Sequence, residues 1–292
     1  MSSNPAAQLQ PSDALLRPGA VTLIVRDLDG VARYYEETIG LHRVGAEHDT
    51  VHLGDGRAVL LILRQRDVDP EPSGSAGLFH TAFLMPTRAD LGRWLRWALR
   101  SGVRLDGASD HKVSEALYLT DPEGNGIEVY ADRPRDTWLW KDGKVLMSTD
   151  PLDVESLIAA AEGEISEGVR VPRGTIVGHI HLRVGGLSEA EAFYRDVLGL
   201  DITSHYPGAT FYSTGGYHHH VATNTWRSRD APKRSGSTTG LASFEMIARD
   251  RDAFDALAER LIASGGRRNG NAIEAADPWG IIVLLKQAEA SS

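Results

Sequence analysis

Residues 118–130 have the sequence Tyr-Leu-Thr-Asp-Pro-Glu-Gly-Asn-Gly-Ile-Glu-Val-Tyr. Its Asp-Pro and Gly-Asn-Gly segments are typical of turns, and apolar or β-branched residues flank them on both sides. This pattern predicts a β-hairpin. Glu128 then lies inside the second strand, between two apolar residues. A carboxylate is costly to bury there unless it is paired or binds a metal, and the alternative is a position on the solvent face of the strand.

The order of elements around this hairpin recurs four times along the chain. Each module begins with a strand, continues with an amphipathic helix and ends with three short strands, so that its order is β-α-β-β-β. Tyr35 in the first helix matches Tyr194 in the third, and Asp121 in the hairpin turn matches Asp277. The repeat predicts an α+β fold. The first strands and the helices after them are expected at 21–25 and 26–41, 78–85 and 87–99, 180–184 and 185–200, and 241–247 and 251–263.

The repeat also predicts the domain boundaries. Residues 1–17 are expected to form a disordered tail, and residues 18–133 an N-terminal half with modules one and two. A polar linker, 134–174, is expected to hold one helix, at 154–162. Residues 175–288 form a C-terminal half with modules three and four, in which the loop 227–240 is expected to cover a cleft. A chain of 292 residues is long enough for two domains.

Composition excludes several classes of function. The 31 basic and 40 acidic residues give a net charge of −9, without a large basic cluster, which argues against nucleic acid as a partner. The absence of cysteine excludes disulfides and thiolate metal sites. The first 18 residues lack the basic start and apolar run of a signal peptide, and no apolar run is long enough to span a membrane. We therefore expect a cytoplasmic protein without a membrane partner.

The four modules, with these helix and turn signatures, resemble the vicinal oxygen chelate superfamily of glyoxalases, bleomycin-resistance proteins and extradiol dioxygenases. The resemblance covers nearly all of the chain outside the tail and linker, and it implies two domains with mixed, strongly curved sheets. It is closest to bacterial catechol 2,3-dioxygenases of the four-module type. The runs that carry this closer resemblance are 78–82 (Leu-Phe-His-Thr-Ala), 114–128, 178–182 (Gly-His-Ile-His-Leu) and 216–221 (Gly-Tyr-His-His-His-Val).

The resemblance implies a ligand set, because metal ligands in this superfamily come from the first and last strands of paired modules. The matching positions are Ala20, His80, His179 and Ser243 in the first strands, and Glu128 and Ile282 in the last strands. Only His80, Glu128 and His179 carry donors, and they form the two-histidine, one-carboxylate set of non-heme Fe(II) oxygenases. Modules two and three would then form the active cleft. A rival zinc site would combine His179 and His181 with one histidine of 218–220.

Further roles also follow from the resemblance. His219 best matches the acid-base histidine of extradiol dioxygenases, and Tyr118, ten positions before Glu128, matches their substrate-facing tyrosine. Each residue also has a simpler structural interpretation: a surface histidine tract at 218–220, a core tyrosine, or a solvated loop around residue 111. The residues expected to bind substrate are His111, His181, His220 and Tyr130.

The implied activity is the opening of catechol, or of a substituted catechol, by O2 to a muconic semialdehyde. The implied cofactor is Fe(II), with Mn(II) as an alternative, and the partners are a small aromatic diol and O2. A homo-oligomer is compatible with the sequence. One alternative is a glyoxalase-type lyase or isomerase with zinc or nickel, which usually needs a second carboxylate ligand. The other is a binding protein of the bleomycin-resistance type, which needs no metal triad.

Overall fold

The computed structural model describes residues 14–161, 168–234 and 238–288. Modules one and two contain β1 (Leu16–Val25), α1 (Leu28–Tyr34), β2 (His42–Glu47), β3 (Thr50–Gly54), β4 (Val59–Gln65), β5 (Gly77–Leu84), α2 (Arg88–Arg100), β6 (Gly107–Asp110), β7 (Ser114–Thr120) and β8 (Gly126–Asp132). The segment after them contains β9 (Trp140–Lys141), β10 (Lys144–Val145) and α3 (Val154–Ala159). Modules three and four contain β11 (Ile176–Arg183), α4 (Leu187–Glu191), β12 (Asp201–Tyr206), β13 (Ala209–Ser213), β14 (Val221–Asn224), β15 (Gly240–Ala248), α5 (Arg251–Ala263), β16 (Arg267–Asn269), β17 (Ala272–Ala276) and β18 (Ile282–Gln287).

The module helices agree with the sequence prediction, with one local difference. After α1 and α4 the chain continues in π-helical turns, Tyr35–Ile39 and Ala192–Val197. The first of these turns ends at Gly40, which has a φ of 92°. A residue with a side chain is strained in this left-handed conformation, so Gly40 stops the helix as expected. The helix α5 has the predicted bounds.

The N-terminal tail and the linker differ from the prediction. Residues 1–13 of the expected tail lie outside the described residues, while Leu16 and Arg17 already pair with β15. The linker helix ends at Ala159, and Glu162 lies outside the described residues. The linker also contains a short hairpin, β9–β10, which the sequence analysis did not predict.

Two curled eight-stranded sheets carry the modules, and each sheet takes one module from each half of the sequence. We call the sheet with the order β12-β13-β14-β11-β5-β8-β7-β6 the site sheet. It joins modules two and three, whereas the other sheet, with the order β16-β17-β18-β15-β1-β4-β3-β2, joins modules one and four. At the centre of the site sheet β5 and β11 are antiparallel, with His80 opposite His181. The pairing of modules two and three therefore brings strands from both halves together.

The two halves of the sequence use the same tyrosine–aspartate contact between their modules. The hydroxyl of Tyr35 donates to Oδ2 of Asp121 at 3.3 Å, and that of Tyr194 donates to Oδ2 of Asp277 at 3.0 Å. The other oxygen of each aspartate accepts two backbone N–H groups of its own turn. Each contact thus fixes the helix of one module against the hairpin turn of the next.

One hydrophobic cluster packs the helices against both sheets. It includes Leu53 and Phe244 of the second sheet and Phe83, Val129 and Leu182 of the site sheet, all of them buried. None of the helices in the described ranges is long and apolar enough to cross a membrane.

Candidate metal centre

The register of the site sheet brings three possible ligands together. Ala82 in β5 lies opposite Glu128 of β8 on one side and opposite His179 of β11 on the other. His80 precedes Ala82 by two positions, so its side chain projects from the same face of the sheet. Because Ala82 has the smallest side chain that an L-residue can have, the space above it stays open for the three donors.

The donor atoms converge closely enough to share one ion. Nε2 of His80 lies 3.0 Å from Oε2 of Glu128, and Nε2 of His179 lies 3.2 Å from the same oxygen. All three residues are buried, and their donor atoms lie within 4.8 Å of one another. In the described part of the chain this is the only group of three or more such residues. Although Nε2 of His80 lies close to Glu128, it makes no well-aligned hydrogen bond among the described residues.

The electrostatics favour the protonation states that a metal needs. Burial lowers the pKa of His179 to about 4, even though Glu128 opposes the shift, so this imidazole is neutral at pH 7. Burial alone raises the pKa of Glu128, but His179 and His80 outweigh it and hold that pKa well below its usual value. A neutral imidazole beside a carboxylate is the form in which these side chains bind metals. The donor set fits a divalent cation.

The other sheet has no such donors at the equivalent positions. Ser243 of β15 matches His80, and Ala20 of β1 matches His179. The sequence analysis matched Glu128 to Ile282, but the register shows that Leu284 is the equivalent residue, because Leu284 lies opposite Glu245 as Glu128 lies opposite Ala82. That prediction was wrong because the two turns have the same length, so that Leu284 follows Asp277 by seven positions, as Glu128 follows Asp121.

A cavity of about 290 Å³ lies over the three donors. Its walls are mainly aromatic and come from Phe79, Tyr206, Phe211 and Trp226. The linker contributes Met147, Ser148 and Thr149, which the sequence analysis did not assign to the site. The loop 227–240, expected to cover the cleft, contributes no lining residue within its described part, and Trp226, just before it, does. The described lining contains no lysine or arginine.

Tyr118 and His111 form a hydrogen-bonded pair in the cavity wall. The hydroxyl of Tyr118 lies 2.6 Å from Nε2 of His111, and Nδ1 of His111 lies 2.6 Å from the carbonyl oxygen of Ser148. A carbonyl only accepts, so Nδ1 donates and Nε2 of a neutral His111 accepts the tyrosine proton. Burial raises the pKa of Tyr118 well above its usual value, which keeps it a phenol. Its oxygen therefore keeps lone pairs for a ligand.

His219 and His181 also line the cavity. The ring of His219 lies 4.1 Å from that of His179, centroid to centroid. Nε2 of His181 lies 3.0 Å from Nδ2 of Asn224, which donates to it. Burial lowers the pKa of both histidines well below its usual value, so both are neutral at pH 7. The strand β14 begins at Val221, which leaves His219 in the preceding loop.

Two predicted substrate contacts do not fit this geometry. His220 is fully buried behind the cavity, with Nδ1 2.8 Å from the hydroxyl of Ser213 and its ring stacked on Tyr217. Tyr130 shares the strand face of Glu128 but packs against His179, and its hydroxyl lies 2.9 Å from that of Tyr217. Neither residue lines the cavity. Because other side chains cover both of them, they support the wall instead of facing a ligand.

Three features of the site were not predicted: the aromatic wall, the hydrogen bond of His218 to His219, and the hydrogen bond of His218 to Asp132. Neighbouring side chains of a strand point to opposite faces, so the sequence did not indicate that both Phe79 and His80 reach the cavity. The sequence did indicate that Asp132 lies near the site, because its position four residues after Glu128 places both on one strand face. It gave no such indication for His218, since a tract of identical residues shows no periodicity.

The comparisons with known proteins identify the family. The family model of the glyoxalase/bleomycin resistance protein/dioxygenase superfamily matches residues 17–129 and 176–281. The chain belongs to this superfamily. It is 42% identical over 254 residues to catechol-2,3-dioxygenase of Bacillus subtilis (strain 168), covering 85% of this chain and 88% of that protein. Biphenyl-2,3-diol 1,2-dioxygenase 2 of Rhodococcus globerulus is 32% identical over 65 residues, or 22% of this chain and 34% of that protein.

Solved structures show the same fold at low sequence identity. Glyoxalase I from Zea mays superimposes with a TM-score of 0.55 at 17% identity, covering 92% of each chain. The cppA protein from Streptococcus pneumoniae TIGR4 gives a TM-score of 0.57 at 11% identity, covering 94% of this chain and 97% of its own. The predicted family and fold are thus confirmed. The chain is a catechol-2,3-dioxygenase-like oxidoreductase of the extradiol type, a class that implies a catalytic metal.

Proposed function

We propose that this protein opens catechol, or a catechol with an uncharged ring substituent, by extradiol cleavage with O2, using Fe(II) held by His80, Glu128 and His179. The observation that carries the proposal is the convergence of these three donors at an aromatic-walled cavity. Two histidines and one carboxylate are the set that holds Fe(II) in non-heme oxygenases and leaves positions open for ligands. Mn(II) is the alternative metal.

An Fe(II) ion held by His80, Glu128 and His179 would lower the pKa of a coordinated diol hydroxyl and would pass electrons from the diol to O2. The protein supplies the rest of the environment. Phe79, Phe211 and Trp226 offer flat apolar surfaces against which an aromatic ring can pack. The product would be a muconic semialdehyde, which has the atoms of catechol plus both atoms of O2.

The two polar residues have separate roles in this proposal. His219 accepts the proton of the diol hydroxyl and returns it later to the developing product, since a neutral imidazole suits both steps. Tyr118 accepts a hydrogen bond from the diol, because its own proton is held by His111. His111 and His181 orient the ligand from the wall. No proton needs to come from bulk water at these positions.

The charge of the cavity supports an uncharged substrate ring. Glu128 is the only acidic residue in the described lining, and the lining has no lysine or arginine to pair with a carboxylate on the ring. A buried carboxylate without a partner is costly. We therefore expect catechol and its alkyl derivatives to react faster than carboxylated catechols.

Oxygen uptake tests the proposal. Protein purified anaerobically and loaded with Fe(II) is expected to consume one O2 per catechol and to develop the absorbance of a ring-opened semialdehyde. A glyoxalase needs a second carboxylate ligand, and the described lining offers none. Turnover of a thiol adduct with nickel or zinc, together with no oxygen uptake for any catechol, would reject the dioxygenase proposal.

A further inference from the structure

A chain of three side chains leads from His219 away from the cavity. Nδ1 of His219 lies 2.8 Å from Nδ1 of His218, and Nε2 of His218 lies 2.9 Å from Oδ1 of Asp132. The same carboxylate oxygen accepts the hydroxyl proton of Tyr217 at 3.1 Å. His218 is fully buried, so water does not compete for these hydrogen bonds.

The donors and acceptors along this chain can be assigned by elimination. Asp132 accepts at Oδ1, so Nε2 of His218 must be the donor to it. When His218 is neutral, Nε2 carries its only N–H group, and Nδ1 has only a lone pair. Nδ1 of His219 must then donate to it. His219 is left without a proton on Nε2, the nitrogen that remains for the cavity.

We propose that Asp132 and His218 are positioning residues that fix His219 in the Nδ1–H tautomer and so keep its Nε2 ready to accept the proton of the diol. The proposal rests on the proposed function, because it assigns the origin of the basic nitrogen in that reaction. In the proton step the substrate O–H bond breaks, its electron pair stays on oxygen, and an Nε2–H bond forms. The positive charge on His219 is then stabilised through His218 by the carboxylate of Asp132.

The surroundings of His218 hold its ring in this orientation. The hydroxyl of Thr203 donates to its backbone carbonyl at 2.6 Å. Its ring lies between Tyr217, at a centroid distance of 4.1 Å, and Trp138, at 5.1 Å. A rotation of the ring would place carbon atoms against both Asp132 and His219 and would lose two buried hydrogen bonds. Such a loss would leave buried polar groups without partners, which is unfavourable.

The inference can be tested with Asp132→Asn and His218→Phe. An asparagine can donate to Nε2 of His218, which would reverse both tautomers, and phenylalanine removes the acceptor of His219 altogether. Nitrogen-15 NMR of the full chain loaded with diamagnetic Zn(II) is expected to show Nδ1–H on His219 in the wild type and loss of that tautomer in at least one variant. With Fe(II), kcat is expected to fall about 10²–10⁴-fold in the same variant, while KM and iron content change little.

The control is Asp106→Asn, the same chemical change at an exposed aspartate that accepts from Thr120. It is expected to keep the wild-type tautomer and kcat. If both test variants keep Nδ1–H on His219 and a kcat within about twofold of the wild type, the inference is wrong, because a proton transfer that depends on them is worth at least about a hundredfold. If the wild type consumes no O2, the proposed function fails, whereas the NMR result still decides the tautomer.

Discussion

In the proposed reaction, His219 is the residue that transfers the proton. It lies beside His179 but is not part of the group of three possible ligands. We expect His219→Phe to retain iron and to lose about 10²–10⁴-fold in kcat, the usual contribution of a general acid-base group. Metal analysis and steady-state kinetics check this prediction. Loss of iron would make His219 a ligand, and unchanged kcat would assign the proton step elsewhere.

At the residue scale the sequence predicted the donors better than their surroundings. His80, Glu128 and His179 were predicted from the repeat together with the superfamily resemblance, and the structure brings their donor atoms together. His220 and Tyr130 were assigned to the substrate incorrectly, because strand alternation predicts which face a side chain takes but not what covers that face. In this protein Tyr217 covers both residues.

The buried aspartate in the turn before β18 makes the stability of the fold depend on pH. Asp277 is buried before β18, where it accepts two backbone N–H groups and the hydroxyl of Tyr194. Burial raises its pKa from 3.8 to about 6, against the effect of these hydrogen bonds. Between pH 4 and pH 6, the folded state therefore holds a proton on Asp277 that the unfolded state has already lost. Stability must fall as the pH rises through this range.

We expect Asp277→Asn to remove that pH dependence. The amide can keep the backbone hydrogen bonds through Oδ1 and can donate to the oxygen of Tyr194 through Nδ2. At pH 8 the variant should be more stable than the wild type by about 1–3 kcal/mol, the equivalent of a shift of about one to two pKa units. The advantage should vanish near pH 4. Urea unfolding of both proteins at several pH values measures it, and parallel pH profiles would contradict the explanation.

At the element scale most of the prediction succeeded, for a physical reason. Module helices have clear caps and apolar periodicity, such as the Thr87 cap of α2 and the Asp250 cap of α5. The β9–β10 hairpin was missed because its strands have only two residues each.

At the scale of the whole molecule, the site forms where a module from one half of the sequence pairs with a module from the other half. His80 and Glu128 come from the N-terminal half and His179 from the C-terminal half, and the site sheet joins them through β5 and β11. Sequence alone could predict this pairing only because the donors are absent from modules one and four. The aromatic walls and the linker segment could not be predicted, because they depend on how distant loops fold over the sheet.

The most direct test of the central claim is the iron content of protein prepared anaerobically, measured for the wild type and for His80→Ala, Glu128→Ala and His179→Ala. We predict one Fe(II) per chain in the wild type and at least about tenfold weaker binding in each variant, because two remaining ligands hold the ion poorly. The matched control is Glu245→Ala, since Glu245 lies at the position of Ala82 in the other sheet and pairs with Lys286. It should keep one iron. Full iron content in any of the three ligand variants would contradict the assignment of this centre.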